Sequence, residues 1–140
     1  MKFYKSAEGN RIFEALSCCG SQKKCSADAS CTIVPIKAGE VDASEEKHVP
    51  VASVDGKCVT VRVGEVEHPM TEEHYIEWIL IKTTTGTQRK CLKPNDKPCA
   101  EFALVDGESF VCAYAYCNLH GLWRCACGCD SKEGCCKSEG

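Results

Sequence analysis

No stretch of this chain is apolar for long enough to cross a bilayer. The densest run, Trp78-Ile79-Leu80-Ile81, has the length of a strand, against the roughly 20 residues of a membrane helix. Positive charge is not in excess. Against 20 Asp and Glu, 17 Lys and Arg leave a formal charge of -3, without the basic face that binding nucleic acid requires. The opening Met1-Lys2-Phe3-Tyr4-Lys5 lacks the apolar body of an export signal, so a cytoplasmic protein is expected. No segment of the main domain has a helical period, no internal repeat is present, and no two cysteines stand in a Cys-x-x-Cys pair. Histidine is scarce, with four in 140 residues.

Cysteine is what the chain has in excess. Fourteen in 140 residues is the density of a secreted disulfide scaffold. Without an export signal, clustered cysteines point instead to metal binding or electron transfer in a reducing compartment. An apolar content of 44% is enough for a real core, and the length fits one main domain with an appendage.

Residues 1–37 read as a small, Cys-bearing N-terminal β segment. Phe3-Tyr4-Lys5 and Ile12-Phe13-Glu14-Ala15-Leu16 form two short strands around a turn at Glu8-Gly9-Asn10, followed by Cys18-Cys19-Gly20, Cys25 and Cys31. Residues 38–124, entered through a linker-like stretch up to residue 44, read as all-β. Val59, Val61 and Val63 alternate with Thr60 and Arg62, the period of a half-buried strand. Tyr75 to Thr83 is apolar on both faces. Thr84-Thr85-Gly86-Thr87 turns into the polar segment Gln88 to Lys93, and Phe102 to Val105 and Phe110 to Tyr116 flank a turn at Asp106-Gly107-Glu108. Short strands at this spacing predict a β-sandwich. Residues 125–140 form an irregular tail of Cys125, Cys127, Cys129, Cys135 and Cys136 with no apolar face to bury.

The chemistry-bearing stretch is Cys117-Asn118-Leu119-His120-Gly121-Leu122-Trp123, which sets a thiolate and an imidazole three residues apart at the end of a strand. Two ligands do not hold a metal. The other three histidines are His48 in Glu46-Lys47-His48-Val49-Pro50, His68 in His68-Pro69-Met70, and His74 in Glu72-Glu73-His74-Tyr75. His68 and His74 are six apart, which puts them on different faces of any helix. Pro50 and Pro69 also disfavour helix beside His48 and His68. All four histidines are therefore expected in loops or at strand ends, where separate loops of a sandwich can bring ligands together. Taken singly, each reads as a surface histidine. Taken jointly with Cys117, they read as the ligands of one metal ion.

These stretches resemble the desulfoferrodoxin/neelaredoxin family, the superoxide reductases. The similarity runs from about residue 38 to 124 and includes Leu92-Lys93-Pro94-x-x-x-Pro98 and Ala100-Glu101-Phe102. It implies an immunoglobulin-like β-sandwich holding one mononuclear non-haem iron. His48, His68, His74 and His120 would be equatorial, Cys117 axial, and the sixth position open. Neutral imidazoles suit iron, a thiolate pushes electron density onto it, and the net positive charge attracts an anion. The activity implied is one-electron reduction of superoxide to hydrogen peroxide. An external small electron-donor protein such as a rubredoxin would then restore the ferrous state, and a homo-oligomer, dimer or tetramer, is expected. Lys47 would draw superoxide to the open position and orient a proton-donating water, and Glu46 would close onto the ferric ion.

The chain departs from the family at both ends. Many relatives carry a second iron on a Cys-x-x-Cys pair and a later Cys-Cys pair. Cys18-Cys19 matches the later pair, but Ser6 and Gly9 stand where the first would be. Cys18, Cys19, Cys25 and Cys31, or the tail cysteines, offer an alternative place for a second iron or iron–sulfur cluster. Cys58, Cys91, Cys99 and Cys112 are expected to be ordinary core thiols. Two other functions compete: a non-enzymatic iron or iron–sulfur electron carrier, and a metal-storing or metal-sensing protein. Neither needs an open position or a lysine beside it.

Overall fold

The computed structural model describes residues 1–7, 11–14, 33–39 and 43–125. The chain divides into two compact units, Met1–Lys37 and Ala38–Gly140. In the first, β1 (Phe3–Ser6) is the middle strand of an antiparallel sheet, between β2 (Ile12–Glu14) and β3 (Ile33–Ile36). The Ser6 N–H donates to the Arg11 carbonyl at 2.9 Å and helps close the β1–β2 hairpin. β3 was not expected. Its Pro35 cannot donate to a ladder, which hides the strand in the sequence and confines it to the sheet edge it occupies. The expected turn at Glu8-Gly9-Asn10, the end of the second strand at Ala15-Leu16, and Cys18, Cys19, Cys25 and Cys31 lie outside the described residues.

Among the described residues, the second unit is all-β apart from a single helical turn, α1 (Glu45–His48). Its strands are β4 (Pro50–Asp55), β5 (Cys58–Val63), β6 (Ile76–Thr83), β7 (Thr87–Cys91), β8 (Cys99–Ala103), β9 (Phe110–Cys117) and β10 (Gly121–Arg124). They form a four-stranded antiparallel sheet, β10-β9-β6-β7, and a three-stranded one, β4-β5-β8. This is the four-plus-three count of an immunoglobulin-like sandwich. The alternation in β5 is realised: Val59, Val61 and Val63 are fully buried, while Arg62 is exposed. In the four-stranded sheet, Ile79 pairs across the ladder with Ala115 and Ile81 with Ala113, large against small, and all four are fully buried. Each of these valines and isoleucines contributes about 1.5–3 kcal/mol by leaving water. Among the described residues, no helix is long and apolar enough to cross a membrane.

Three strands of this unit, β4, β7 and β10, and its helical turn were missed in the sequence, β7 because it is polar and mostly exposed. β4 begins at Pro50, allowed there because β4 is an edge strand, and β10 has only four residues. α1 is one turn, too short to show a period. β8 also lies three residues earlier than expected, leaving Val105 exposed in the turn that follows.

One irregularity prepares the functional end of the sandwich. Between β6 and β9 the register shifts at Glu77, so that Ile76 faces Cys117 while Trp78 faces Tyr116. The extra residue is a bulge, and the Glu77 carbonyl accepts from the Leu92 N–H at 2.9 Å. The start of β6, the end of β9 and the start of β10 meet there.

Candidate metal centre

His48 is the last residue of α1, not the loop residue expected, and it is buried. Its Nδ1–H donates to the Ser44 carbonyl at 2.7 Å, which leaves the Nε2 lone pair directed away from the helix. The turn is clamped to the segment after β5 by two backbone bonds, Gly64 N–H to the Val49 carbonyl at 3.1 Å and Val66 N–H to the Glu46 carbonyl at 3.2 Å. Gly64 makes that approach possible. Its φ is +86°, and a Cβ there would stand 2.2 Å from the Val66 oxygen and 2.6 Å from the Lys47 oxygen.

That clamp brings His68 to His48. The His68 N–H reaches the Val63 carbonyl at 3.4 Å, and its Nδ1–H donates to the Pro69 carbonyl at 2.6 Å, again freeing Nε2. His74 closes a tight turn in which its N–H meets the Thr71 carbonyl and the Thr71 N–H meets the His74 carbonyl. Cys117 ends β9 and is fully buried. Asn118 ties the Cys117–His120 turn to the His74 loop: its Oδ1 accepts from the Tyr75 N–H at 2.9 Å, and its Nδ2 donates to the Glu73 carbonyl at 3.0 Å. Trp123 fixes the other side, donating Nε1–H to the His120 carbonyl at 3.1 Å and packing on the His48 ring with centroids 5.0 Å apart.

The four imidazoles stand around a centre in the order His48, His68, His74, His120. Successive centroids are 4.6, 4.7, 5.0 and 4.7 Å apart, and successive rings are nearly perpendicular. His48 and His74 face each other across the square at 6.1 Å. His48, His74, Cys117 and His120 each aim one donor atom into a region where all four atoms lie within 4.8 Å of one another. His68 stands outside that set of four donors, but its ring completes the square. The Nε2 atoms of His68 and His74 are buried and find no hydrogen-bond partner among the described residues.

The donor set fits a metal ion. His48 Nε2 and His120 Nδ1 are 2.9 Å apart. Two nitrogens bound side by side to one ion at about 2.1 Å would be about 3 Å apart. Cys117 Sγ lies 3.8 Å from the same His120 nitrogen. Burial holds His48, His68 and His74 below the usual imidazole range, His68 down to about 4, so all three are neutral lone-pair donors at pH 7. Burial pushes the Cys117 thiol up, against backbone N–H groups of His120 and Leu119 that pull it down. A buried sulfur that resists ionising, beside imidazole nitrogens without partners, is an environment that a cation would relieve. Soft sulfur with imidazole nitrogen suits iron.

Glu46 and Lys47 are exposed on α1. The Lys47 charge acts on both His48 and His74, which sets its ammonium within electrostatic reach of two sides of the square. The sequence had singled out neither Gly64 nor the paired roles of Asn118 and Trp123. A glycine directly after an alternating strand was the available signal for the first. The other two lay inside the motif but carried no mark of which backbone groups they would meet.

The desulfoferrodoxin family model matches residues 40–126. A desulfoferrodoxin homologue of Archaeoglobus fulgidus is 42% identical over 131 residues, covering 89% of this chain and 95% of the relative. The desulfoferrodoxin of Nitratidesulfovibrio vulgaris is 38% identical over 123 residues, covering 88% and 94%. Among solved structures, the superoxide reductase of Treponema pallidum superposes with a TM-score of 0.68 at 37% identity, over 89% of this chain and 98% of that one.

Proposed function

The chain belongs to the desulfoferrodoxin family, and on that premise we propose that it is a superoxide reductase, with His48, His68, His74, His120 and Cys117 holding one iron. The observation that carries this reading is the square of four imidazoles with the Cys117 thiol beside it. Held by those five residues, iron would supply the one-electron chemistry that, with two protons, converts superoxide to hydrogen peroxide.

The chain's own residues do the rest. Imidazole ligands bring no negative charge to a bound ion, so the site would attract an anion. The buried Cys117 sulfur donates electron density to the ion. Lys47, next to His48 in the chain and acting through its charge on His74, would raise the local concentration of superoxide and orient a water that delivers a proton. Glu46, adjacent on the same turn and exposed, would be the carboxylate available to the oxidised ion. An external donor of rubredoxin type restores the ferrous state, and the protein works as a cytoplasmic homo-oligomer. A second thiolate-held iron or cluster belongs to the same reading, on Cys18, Cys19, Cys25 and Cys31 or on Cys125 with Cys127, Cys129, Cys135 and Cys136. Iron and acid-labile sulfide per chain, before and after truncation at Arg124, test that part.

Cys117→Ser tests the centre itself. A ferric ion with a thiolate ligand absorbs in the red, so the oxidised parent is blue. The variant is expected to lose that band and most superoxide reduction while still folding. Full colour and full activity in Cys117→Ser would remove the assignment.

A further inference from the structure

At the end of the β9–β10 ladder remote from Cys117, three side chains meet that the centre does not use. Cys112 Sγ and Cys125 Sγ are 3.3 Å apart, both buried, and the Arg124 Nε–H donates to Cys112 Sγ at 3.2 Å. The ladder creates the meeting. Arg124 pairs with Tyr114, and the Cys125 N–H then donates to the Ala113 carbonyl at 3.0 Å, which brings Cys125 beside Cys112.

Cys112 and Cys125 do not meet as two ligands of one ion, and this use of Cys125 is the alternative to a tail cluster that includes it. Thiolates on a tetrahedral ion at about 2.3 Å stand about 3.8 Å apart, wider than these sulfurs. A guanidinium against Cys112 also opposes a cation there. Two other features favour sulfur–sulfur chemistry. Bond formation needs only about a further 1.3 Å of approach to reach the ~2.05 Å of a disulfide. The Arg124 N–H is a charged donor to the Cys112 sulfur, the contact that favours attack by that sulfur rather than by Cys125.

We propose that Cys112 and Cys125 are a dithiol that hydrogen peroxide oxidises to a disulfide. The Cys112 thiolate attacks one peroxide oxygen, the O–O bond breaks, and the departing hydroxide takes a proton to become water. Cys125 then attacks the sulfur of the resulting sulfenic acid, the S–S bond forms, and a second water leaves with the Cys125 proton. The two sulfurs together lose two electrons, and one peroxide becomes two waters. The inference rests on the superoxide-reductase reading only for the source of the peroxide. Cys112 is five residues from Cys117 along β9, about 17 Å at ~3.3 Å per residue, so the peroxide arrives by diffusion. The disulfide closes a loop that contains both Cys117 and His120, so accumulated product staples the hairpin that carries two of the candidate ligands.

The test uses full-length protein, reduced and kept anaerobic, treated with stoichiometric hydrogen peroxide, alkylated, digested and mapped by mass spectrometry. Cys112 and Cys125 are expected to escape alkylation and appear cross-linked, with reversal by dithiothreitol. Arg124→Gln is expected to slow the reaction roughly tenfold, because the Cys112 sulfur loses its charged donor. In Cys125→Ser, Cys112 is expected to stop at the sulfenic acid and be trapped by dimedone. Cys112 remaining open to alkylation, Cys125 cross-linked to Cys127, Cys129, Cys135 or Cys136 instead, or no dimedone adduct would each overturn the proposal. Added peroxide bypasses turnover, so the two readings fail separately. A protein that forms the link but does not reduce superoxide sinks only the enzymatic reading. One that reduces superoxide while Cys112 stays a thiol sinks only this one.

Discussion

Replacing Gly64 with alanine should damage the metal centre from a position that no ligand touches. Two costs combine. At φ +86° an L-residue pays about 1–2 kcal/mol for left-handed backbone. The new Cβ would also lie 2.2 Å from the Val66 oxygen and 2.6 Å from the Lys47 oxygen, both backbone atoms that no rotamer change can move aside. The α1 turn and the 64–68 segment must separate, weakening the bonds from Gly64 to Val49 and from Val66 to Glu46, each worth about 1 kcal/mol. The total is about 3–4 kcal/mol. Gly107 is the internal control: its φ is +83°, but nothing lies within 4 Å of a Cβ there, so Gly107→Ala should cost only the 1–2 kcal/mol backbone term. Denaturant unfolding followed by tryptophan fluorescence measures both variants, and iron per chain measures the site. Gly64→Ala is expected to lose iron because His48 and His68 sit on the two segments it forces apart, while Gly107→Ala keeps it. Equal destabilisation of the two variants, or full iron in Gly64→Ala, would refute the clamp.

Lys47→Ala is expected to slow the reaction with superoxide roughly tenfold at low salt and to leave the visible spectrum unchanged, since the ammonium acts through its field. The deficit should shrink as ionic strength passes 0.1 M, where screening acts over about 10 Å. A parent-like rate at low salt argues against the role. Glu46→Ala should change the oxidised spectrum and leave the superoxide rate as it was. The metal-free protein should also lose stability in acid. His68 titrates at about 4 in the fold against an ordinary 6.5, so as pH falls below 6.5 the unfolded chain takes up a proton first. Stability is complete above 6.5 and declines towards pH 4, by up to about 3 kcal/mol from this residue. A flat urea midpoint across that window would contradict the burial of a neutral His68.

Much of the fold was legible because β5 alternates cleanly and β6 is apolar on both faces, the two patterns a sandwich interior imposes. β4 and β10 escaped for a physical reason. An edge strand opened by Pro50 and a four-residue strand gain their order from a neighbour's ladder, and that leaves little periodic trace. The candidate ligands were legible because residue type is itself the chemistry. The scaffold that aims them was not. Ser44 and Pro69 act through their carbonyls, Gly64 through the absence of a Cβ, and Asn118 through bonds to Glu73 and Tyr75, more than forty positions away in the chain. Cys112 read as an ordinary core thiol, because its neighbours Cys125 and Arg124 adjoin it only once β10 has paired with β9.

The most direct test of the central claim is product stoichiometry. Ferrous protein, given a known pulse of superoxide under anaerobic conditions, should yield one hydrogen peroxide for each superoxide consumed and no dioxygen, while losing one reducing equivalent per turnover. Dioxygen appearing together with one peroxide for every two superoxides would mean dismutation, and unreacted superoxide would mean that the square of histidines around Cys117 serves some other chemistry.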